Sequence, residues 1–112
     1  MDFDLPESAQ AVRDGIAAVT AEYGHEYWDA CDAGHRWPEE VYRDLAEGGW
    51  LGLAVPEEYG GGGQGLLELA VALETLAALG AGAAASFIYL LTPGFGALTL
   101  TRHGTEEQKR RF

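Results

Sequence analysis

Four side chains of this 112-residue sequence could ligate a transition metal: His25, Cys31, His35 and His103. A structural zinc site usually takes four such ligands from two closely spaced pairs. Cys31 and His35 lie four residues apart and could share one face of a helix, but no second Cys or His pair completes a tetrahedral set. The sequence therefore predicts no metal site.

Catalytic nucleophiles and bases are equally scarce. Ser8 and Ser86 are the only serines, and neither lies in the Gly-x-Ser-x-Gly context of a nucleophile elbow. Glu68 and Glu74 are the only acids on an otherwise apolar predicted helix. We expect both glutamates to be capping or solvated, although the apolar neighbours of Glu74 make it the carboxylate to inspect. No catalytic residue is predicted.

Residues 60–65 read Gly-Gly-Gly-Gly-Gln-Gly and match the G-x-G-x-x-G pattern of dinucleotide-binding loops. That site also needs a βαβ unit and an acidic residue about 20 positions later. The next acid after Glu74 is Glu106, no parallel strands are predicted, and a Gly-Lys-Ser/Thr phosphate loop is absent from the sequence. We interpret the segment as a flexible loop that permits a close approach to the following helix, with no cofactor-binding residue.

The negative charge is concentrated in the first half of the chain. Residues 1–60 contain 14 of the 18 acidic and 3 of the 7 basic residues, so the whole net charge of −11 lies there. Such a field repels phosphate backbones and anionic membrane surfaces, which argues against nucleic-acid binding. The single cysteine and the lack of a basic-then-apolar leader favour a reducing compartment, and we predict a cytoplasmic protein.

Residues 75–101 carry no charged side chain, so a membrane helix must be considered. Glycines, threonines and Pro93 lower the hydrophobicity of this stretch and interrupt a helix. We therefore predict no membrane insertion. A buried helix followed by one that faces a partner surface is the favoured interpretation.

The hydrophobic spacing predicts an all-α fold, an irregular bundle of about four to five helices with a Gly-rich loop at 60–65. A first helix begins in a capping box of Asp4 and Glu7, and a second begins at Pro38 and ends at Gly48. Residues 25–36 are polar and are predicted to be irregular. Further helices are predicted over 65–79 and over 83–103, the latter bent or interrupted at 92–94 by Pro93.

A last helix is predicted to open with a capping box of Thr105 and Gln108, and the sequence stops at Phe112. Because a capped helix is rarely followed at once by a chain end, we expect residues 1–112 to be one domain of a longer protein.

Two segments resemble the N-terminal domain of acyl-CoA dehydrogenases. Residues 37–65 contain Trp-Pro-Glu-Glu and then Gly-Trp-Leu-Gly-Leu-Ala-Val-Pro-Glu-Glu-Tyr-Gly-Gly-Gly-Gly, and residues 104–112 read Gly-Thr-Glu-Glu-Gln-Lys-Arg-Arg-Phe. The resemblance implies an N-terminal helical lobe, followed in the family by a middle β-domain and a C-terminal helical bundle. It also implies FAD between those two domains, an acyl-CoA substrate and a homo-oligomer. Since the family's flavin segment and glutamate base lie beyond this lobe, no catalytic residue carries over and no FAD is expected on this chain alone.

The same resemblance implies substrate-binding residues in the helix before Gly104. Counting back from that glycine, the wall of the acyl pocket falls on Phe87, Ile88, Leu91, Thr92 and Phe95. An acyl chain needs an uncharged wall, which these residues provide. The alternative is that Phe87, Leu91 and Phe95, spaced four residues apart, are simply core.

Two functions remain open from the sequence. The first is the lobe of an FAD-dependent acyl-CoA dehydrogenase that contributes one wall of the acyl pocket and is inactive alone. The second is a stand-alone helical interaction module descended from that lobe, without catalysis.

Self-association is the first testable expectation. If part of the uncharged stretch faces a missing partner, its apolar face should be exposed and adhesive. Sedimentation velocity over a concentration series should then show association that grows with concentration. A strictly monomeric profile at high concentration would argue against a lobe that lacks a partner.

Overall fold

Helices account for all the regular structure in the computed structural model, which describes residues 2–112. The first half contains three α-helices and the second half four, and no β-strand occurs among the described residues. The all-α prediction is confirmed. The helices are α1 (Glu7–Thr20), α2 (His25–Ala33), α3 (Glu39–Glu47), α4 (Leu66–Leu76), α5 (Gly82–Tyr89), α6 (Leu98–His103) and α7 (Glu106–Arg111).

Short non-α turns join the helices at four places. Turns of 3-10 helix lie at Trp50–Gly52 and Glu57–Tyr59, in the connection between α3 and α4. Turns of π-helix lie at Ala77–Ala81, before α5, and at Leu90–Ala97, between α5 and α6. Because the helical geometry continues through the second π turn, α5 and α6 form one stretch over residues 82–103, as the sequence predicts.

The core forms where α1 packs along α4. Ala9 and Ile16 of α1 are fully buried, as is Ala72 of α4, and Leu76 retains 1% of its exposure. Helical residues three and four apart share a face, so the apolar spacing of both helices builds a continuous buried stripe. Other buried apolar residues extend this cluster to α3, α5, the first π turn and the residue after the first 3-10 turn: Val41, Leu45, Tyr89, Ala81 and Leu53.

The capping box predicted at the start of α7 is confirmed, whereas the one predicted for α1 is wrong. The Thr105 hydroxyl accepts from the Gln108 N–H at 3.2 Å, while the Gln108 side chain accepts from the Thr105 N–H at 2.9 Å. In contrast, α1 follows Pro6, and no side chain caps it. The Asp4 N–H bonds instead to the side chain of Asp2 at 2.9 Å, because the extended backbone of Pro6 separates Asp4 from the helix.

The prediction that residues 25–36 are irregular is wrong, because α2 occupies most of them. Tertiary contacts hold this polar segment against α3. Tyr27 donates a hydrogen bond to Glu40 at 2.7 Å, and Tyr23, just before α2, donates to Asp44. The bond to Asp44, with burial second, raises the pKa of Tyr23 to about 12, so this tyrosine remains a donor at neutral pH.

The uncharged stretch is interrupted before α5, as its glycines predict, whereas the helix continues through Pro93. Leu79 and Gly80 leave helical geometry, with φ +96° at Gly80, and separate α4 from α5. Pro93 lies inside the second π turn, where i→i+5 bonding tolerates its missing N–H. No helix among the described residues is long and apolar enough to cross a membrane.

Replacing Gly15 tests the packing between α1 and Trp50. A Cβ at Gly15 would overlap the Trp50 indole, at a cost of about 1–3 kcal/mol for overpacking. That cost exceeds the gain of roughly 0.5–1 kcal/mol that alanine brings to a helix interior. We expect Gly15→Ala to lower the free energy of unfolding measured with urea. Gly24→Ala is the control, since nothing lies within 4 Å of its added Cβ. A stabilised Gly15→Ala variant would contradict this packing.

The Glu40 carboxylate predicts an acid-dependent loss of stability. The hydrogen bond from Tyr27, then the Glu40 N–H and Arg36, lower the pKa of Glu40 from 4.5 to about 2. A carboxyl whose pKa falls on folding stabilises the fold above its unfolded pKa, and this contribution disappears as the pH falls through the folded pKa. Glu40→Gln should therefore flatten the fall of the melting temperature from about pH 5 to about pH 2. Glu39→Gln, in the same helical turn, should keep the wild-type slope.

Candidate functional site

An open groove of about 940 Å³ lies beside the second π turn and α6. One wall is helical and comes from the second π turn and α6. Its side chains recur every four residues, at Leu91, Phe95, Thr99 and His103, and the neighbouring register adds Thr92 and Leu100. A spacing of four residues keeps side chains on one face of a helix, so one face of residues 91–103 supplies much of the wall, to which Ala97 and Thr101 add.

The opposite side of the groove is assembled from two distant segments. Val55 and Tyr59 come from the 3-10 region between α3 and α4, while Gln108, Lys109 and Phe112 come from α7 and the residue after it. Sequence reasoning assigned none of these residues, nor Thr99, Leu100 and His103, to a site. The four-residue spacing that continues from Leu91 could have indicated Thr99 and His103 as lining residues. No local sequence pattern indicates that Val55 or Tyr59 lines the groove.

The structure brings three of the five predicted wall residues together. Leu91, Thr92 and Phe95 line the groove. Ile88 lines a separate small crevice beside Trp28 and α3, and Phe87 lies outside both cavities.

The three residues suggested as possible core are exposed in this chain. Phe87 is 57% exposed, Leu91 43% and Phe95 60%. The core alternative therefore does not describe their surroundings here. Large apolar side chains held at this exposure form a surface that favours an apolar ligand or another protein surface.

A cluster of polar and charged side chains closes one end of the groove. The Tyr59 hydroxyl lies 2.8 and 2.9 Å from the two carboxylate oxygens of Glu106. The Arg110 guanidinium lies 5.4 Å and the Lys109 ammonium 5.9 Å from the centre of the Tyr59 ring. The hydrogen bond to Glu106, ahead of burial, raises the pKa of Tyr59 above its usual value of 10.0. The phenol is therefore protonated and can donate at neutral pH.

The glycine segment has its N–H groups bound within the chain. Gly62 donates to Gly52 at 2.9 Å, Gly63 to Val55 at 2.9 Å, and Gln64 to Leu53 at 3.0 Å. Gly60 and Gly61 donate to the carbonyls of residues 57 and 56, and the N–H of residue 65 donates to Glu68. A phosphate-binding loop needs free N–H groups, so this segment does not fit the diphosphate of a flavin dinucleotide. Its structural role is to fold the chain back over residues 52–56.

The two glutamates of α4 have structural contacts. Glu68 accepts hydrogen bonds from the Ser8 hydroxyl at 2.7 Å and from the Gly65 N–H at 3.1 Å, and it thereby caps α4. The bond from Ser8 is the main cause of the lowered pKa of Glu68. The Glu74 side chain is 72% exposed and lies 3.9 Å from Arg13. Over residues 2–112, no three His, Cys, Asp or Glu side chains converge as metal ligands.

Comparison with known proteins identifies the family. The chain matches the family model described as acyl-CoA dehydrogenase, N-terminal domain, over residues 6–112. It is 36% identical over 106 residues to the acyl-CoA dehydrogenase FadE12 of Mycobacterium tuberculosis, covering 95% of this chain and 26% of that protein. The chain belongs to the acyl-CoA dehydrogenase family, as its motifs predict, and represents the N-terminal domain of that family.

Two further relatives show how much of a family member this chain represents. The probable acyl-CoA dehydrogenase YdiO of Escherichia coli is 33% identical over 112 residues, which are 99% of this chain and 28% of YdiO. Benzylmalonyl-CoA dehydrogenase of Aromatoleum aromaticum is 36% identical over 77 residues, 69% of this chain and 20% of that enzyme. The chain thus spans about a quarter of the length of these relatives. No solved structure gave a significant match.

Proposed function

We propose that this chain is the N-terminal lobe of an FAD-dependent acyl-CoA dehydrogenase and supplies one wall of its acyl pocket. The observation that carries the proposal is the 940 Å³ groove, whose helical wall comes from the uncharged stretch 75–101 up to Thr101 and ends at His103. Leu91 and Phe95 are held there by a helix whose other face is buried through Tyr89. The family membership makes the acyl part of a thioester the ligand that suits this surface.

The chemistry of the wall suits a hydrocarbon chain. Ligand pockets are lined mainly by apolar and aromatic side chains, with a few polar groups that fix orientation. Leu91, Phe95 and Leu100 offer apolar contact, while the hydroxyls of Thr92 and Thr99 add the few polar groups. Phe87 and Ile88 remain predicted wall residues that this groove does not include.

The redox chemistry belongs to other parts of such an enzyme. FAD would accept the electrons removed from the acyl-CoA, and the glycine segment 60–65, whose N–H groups are bound within the chain, does not fit its diphosphate. We propose that the middle and C-terminal domains typical of the family supply the flavin site and the base, and that this lobe is inactive without them. A homo-oligomer and a cytoplasmic location belong to the same proposal, as the resemblance and the single cysteine favour them.

Replacing Phe95 tests the acyl wall directly. Phe95→Ala removes an aromatic ring from the groove, and losing such an apolar contact should weaken a dansyl-labelled fatty acid about tenfold. Fluorescence titration of the chain with this probe measures the dissociation constant. Phe87→Ala is the matched control, because Phe87 is similarly exposed but lies outside the groove.

The two variants also test whether the acyl wall is limited to the groove or extends to Phe87, as the resemblance to the family implies. A loss of affinity confined to Phe95→Ala supports the groove described here. Equal losses in both variants would extend the wall to Phe87. Unchanged affinity in Phe95→Ala would overturn the assignment of this face as the acyl wall.

A further inference from the structure

The end of the groove depends on a helix with few anchors. α7 spans six residues, Glu106–Arg111, and none of them is buried. It follows α6 through the extended backbone of Gly104 and Thr105. Side chains of α7 nevertheless line the groove, through Gln108 and Lys109. Because none of its residues is buried, contacts with other segments must fix the position of α7.

Tyr59 supplies the side-chain hydrogen bond that the structure shows between α7 and the segment that joins α3 to α4. Its hydroxyl bonds both carboxylate oxygens of Glu106, a residue 47 positions away in the sequence. Glu106 lies 4.0 Å from Lys109 and 3.8 Å from Arg110, and the same two cations lie near the Tyr59 ring. The ion pairs are within α7, so they orient Glu106 but cannot fix the helix to the rest of the chain.

The segment that carries Tyr59 is itself held firmly. The Tyr59 N–H donates to the Pro56 carbonyl at 3.0 Å, and the Gly61 N–H donates to the same carbonyl at 3.2 Å. Gly60 adopts φ +85°, a conformation that favours glycine, directly after Tyr59. The hydrogen bonds of residues 62–64 then tie this turn to residues 52–55. The Tyr59 hydroxyl is therefore carried by a turn that several backbone hydrogen bonds hold in place, and it contacts α7, which has no buried residue.

We propose that Tyr59 is a positioning residue for the groove: its hydrogen bond to Glu106 holds α7 in place and so sets the shape of one end of the site. The effect on ligand affinity rests on the proposed acyl-binding function. The effect on the mobility of α7 does not depend on that function, because it is measured in the protein without ligand. Tyr59 also lines the groove, so its hydroxyl can be removed while its ring keeps the apolar contact.

Two pairs of matched variants test the proposal in the 112-residue chain. Tyr59→Phe removes only the hydroxyl, and Tyr42→Phe makes the same change at a tyrosine that lines the separate crevice. Glu106→Ala removes the acceptor, and Glu107→Ala removes an equal charge from the neighbouring position of α7. Heteronuclear NOE values of the residue 105–112 amides report the mobility of α7, and the dansyl fatty acid reports the groove.

We expect Tyr59→Phe and Glu106→Ala to lower the NOE values of α7 and to weaken the probe about fivefold, as befits the net contribution of one solvent-exposed hydrogen bond. Tyr42→Phe and Glu107→Ala should change neither readout. The double variant Tyr59→Phe/Glu106→Ala should be no worse than Glu106→Ala alone, because both changes remove the same bond.

The outcomes distinguish the two proposals. Unchanged α7 mobility in Tyr59→Phe overturns the positioning role, whatever the probe does. More mobile α7 with unchanged probe affinity overturns the link between α7 and the shape of the groove. If the wild-type chain does not bind the probe while Tyr59→Phe still mobilises α7, the acyl-binding proposal fails and the anchoring of α7 stands.

Discussion

The packing of Trp50 joins three of the helices that build this lobe. Its indole lies against Gly15 of α1 and Gly48 at the end of α3, where an added Cβ would overlap the ring in each case. Its carbonyl oxygen accepts a hydrogen bond from the Tyr89 hydroxyl of α5 at 2.6 Å. Burial raises the pKa of Tyr89, so this phenol remains a donor throughout the physiological range. One residue of a 3-10 turn thereby fixes helices that are far apart in the sequence.

The rotation of the helical stretch 82–103 follows from this contact. Tyr89 is 2% exposed, and residues two positions apart on a helix lie on nearly opposite faces. Leu91 is consequently directed away from the core, and Phe95 and Thr99 follow it at four-residue spacing. The core contact and the groove thus use two faces of the same helical stretch, and the π turn around Pro93 itself carries Leu91, Thr92 and Phe95 of the groove wall.

The charged residues are also distributed unevenly between the first half of the chain and the groove wall. The acidic excess lies on residues 1–60, where two carboxylates of α3 accept hydrogen bonds from the hydroxyls of Tyr23 and Tyr27. The groove wall is uncharged, and charge reappears only at its end, in α7. Exposed ion pairs contribute little to stability, whereas hydrogen bonds to charged groups are stronger and directional. The tyrosine–carboxylate bonds are therefore the contacts that orient α2 and α7.

Several features were determined by the sequence alone because they depend on neighbours in the chain. The apolar spacing of α1 and α4, the capping box of Thr105 and Gln108, and the glycine break between α4 and α5 are local, and the motifs at 37–65 and 104–112 identified the family. The tertiary structure alone decided that the polar residues 25–33 form α2, because the partners of Tyr27 and Tyr23 lie on α3.

The tertiary structure also decided which predicted wall residues meet. Leu91, Thr92 and Phe95 face Val55 and Tyr59 across the groove, while Ile88 faces Trp28 in the separate crevice. Sequence periodicity can place a side chain on a helix face, but it cannot say what lies opposite that face. That depends on contacts between residues distant in the chain, here the packing of Trp50 and the bond between Tyr59 and Glu106.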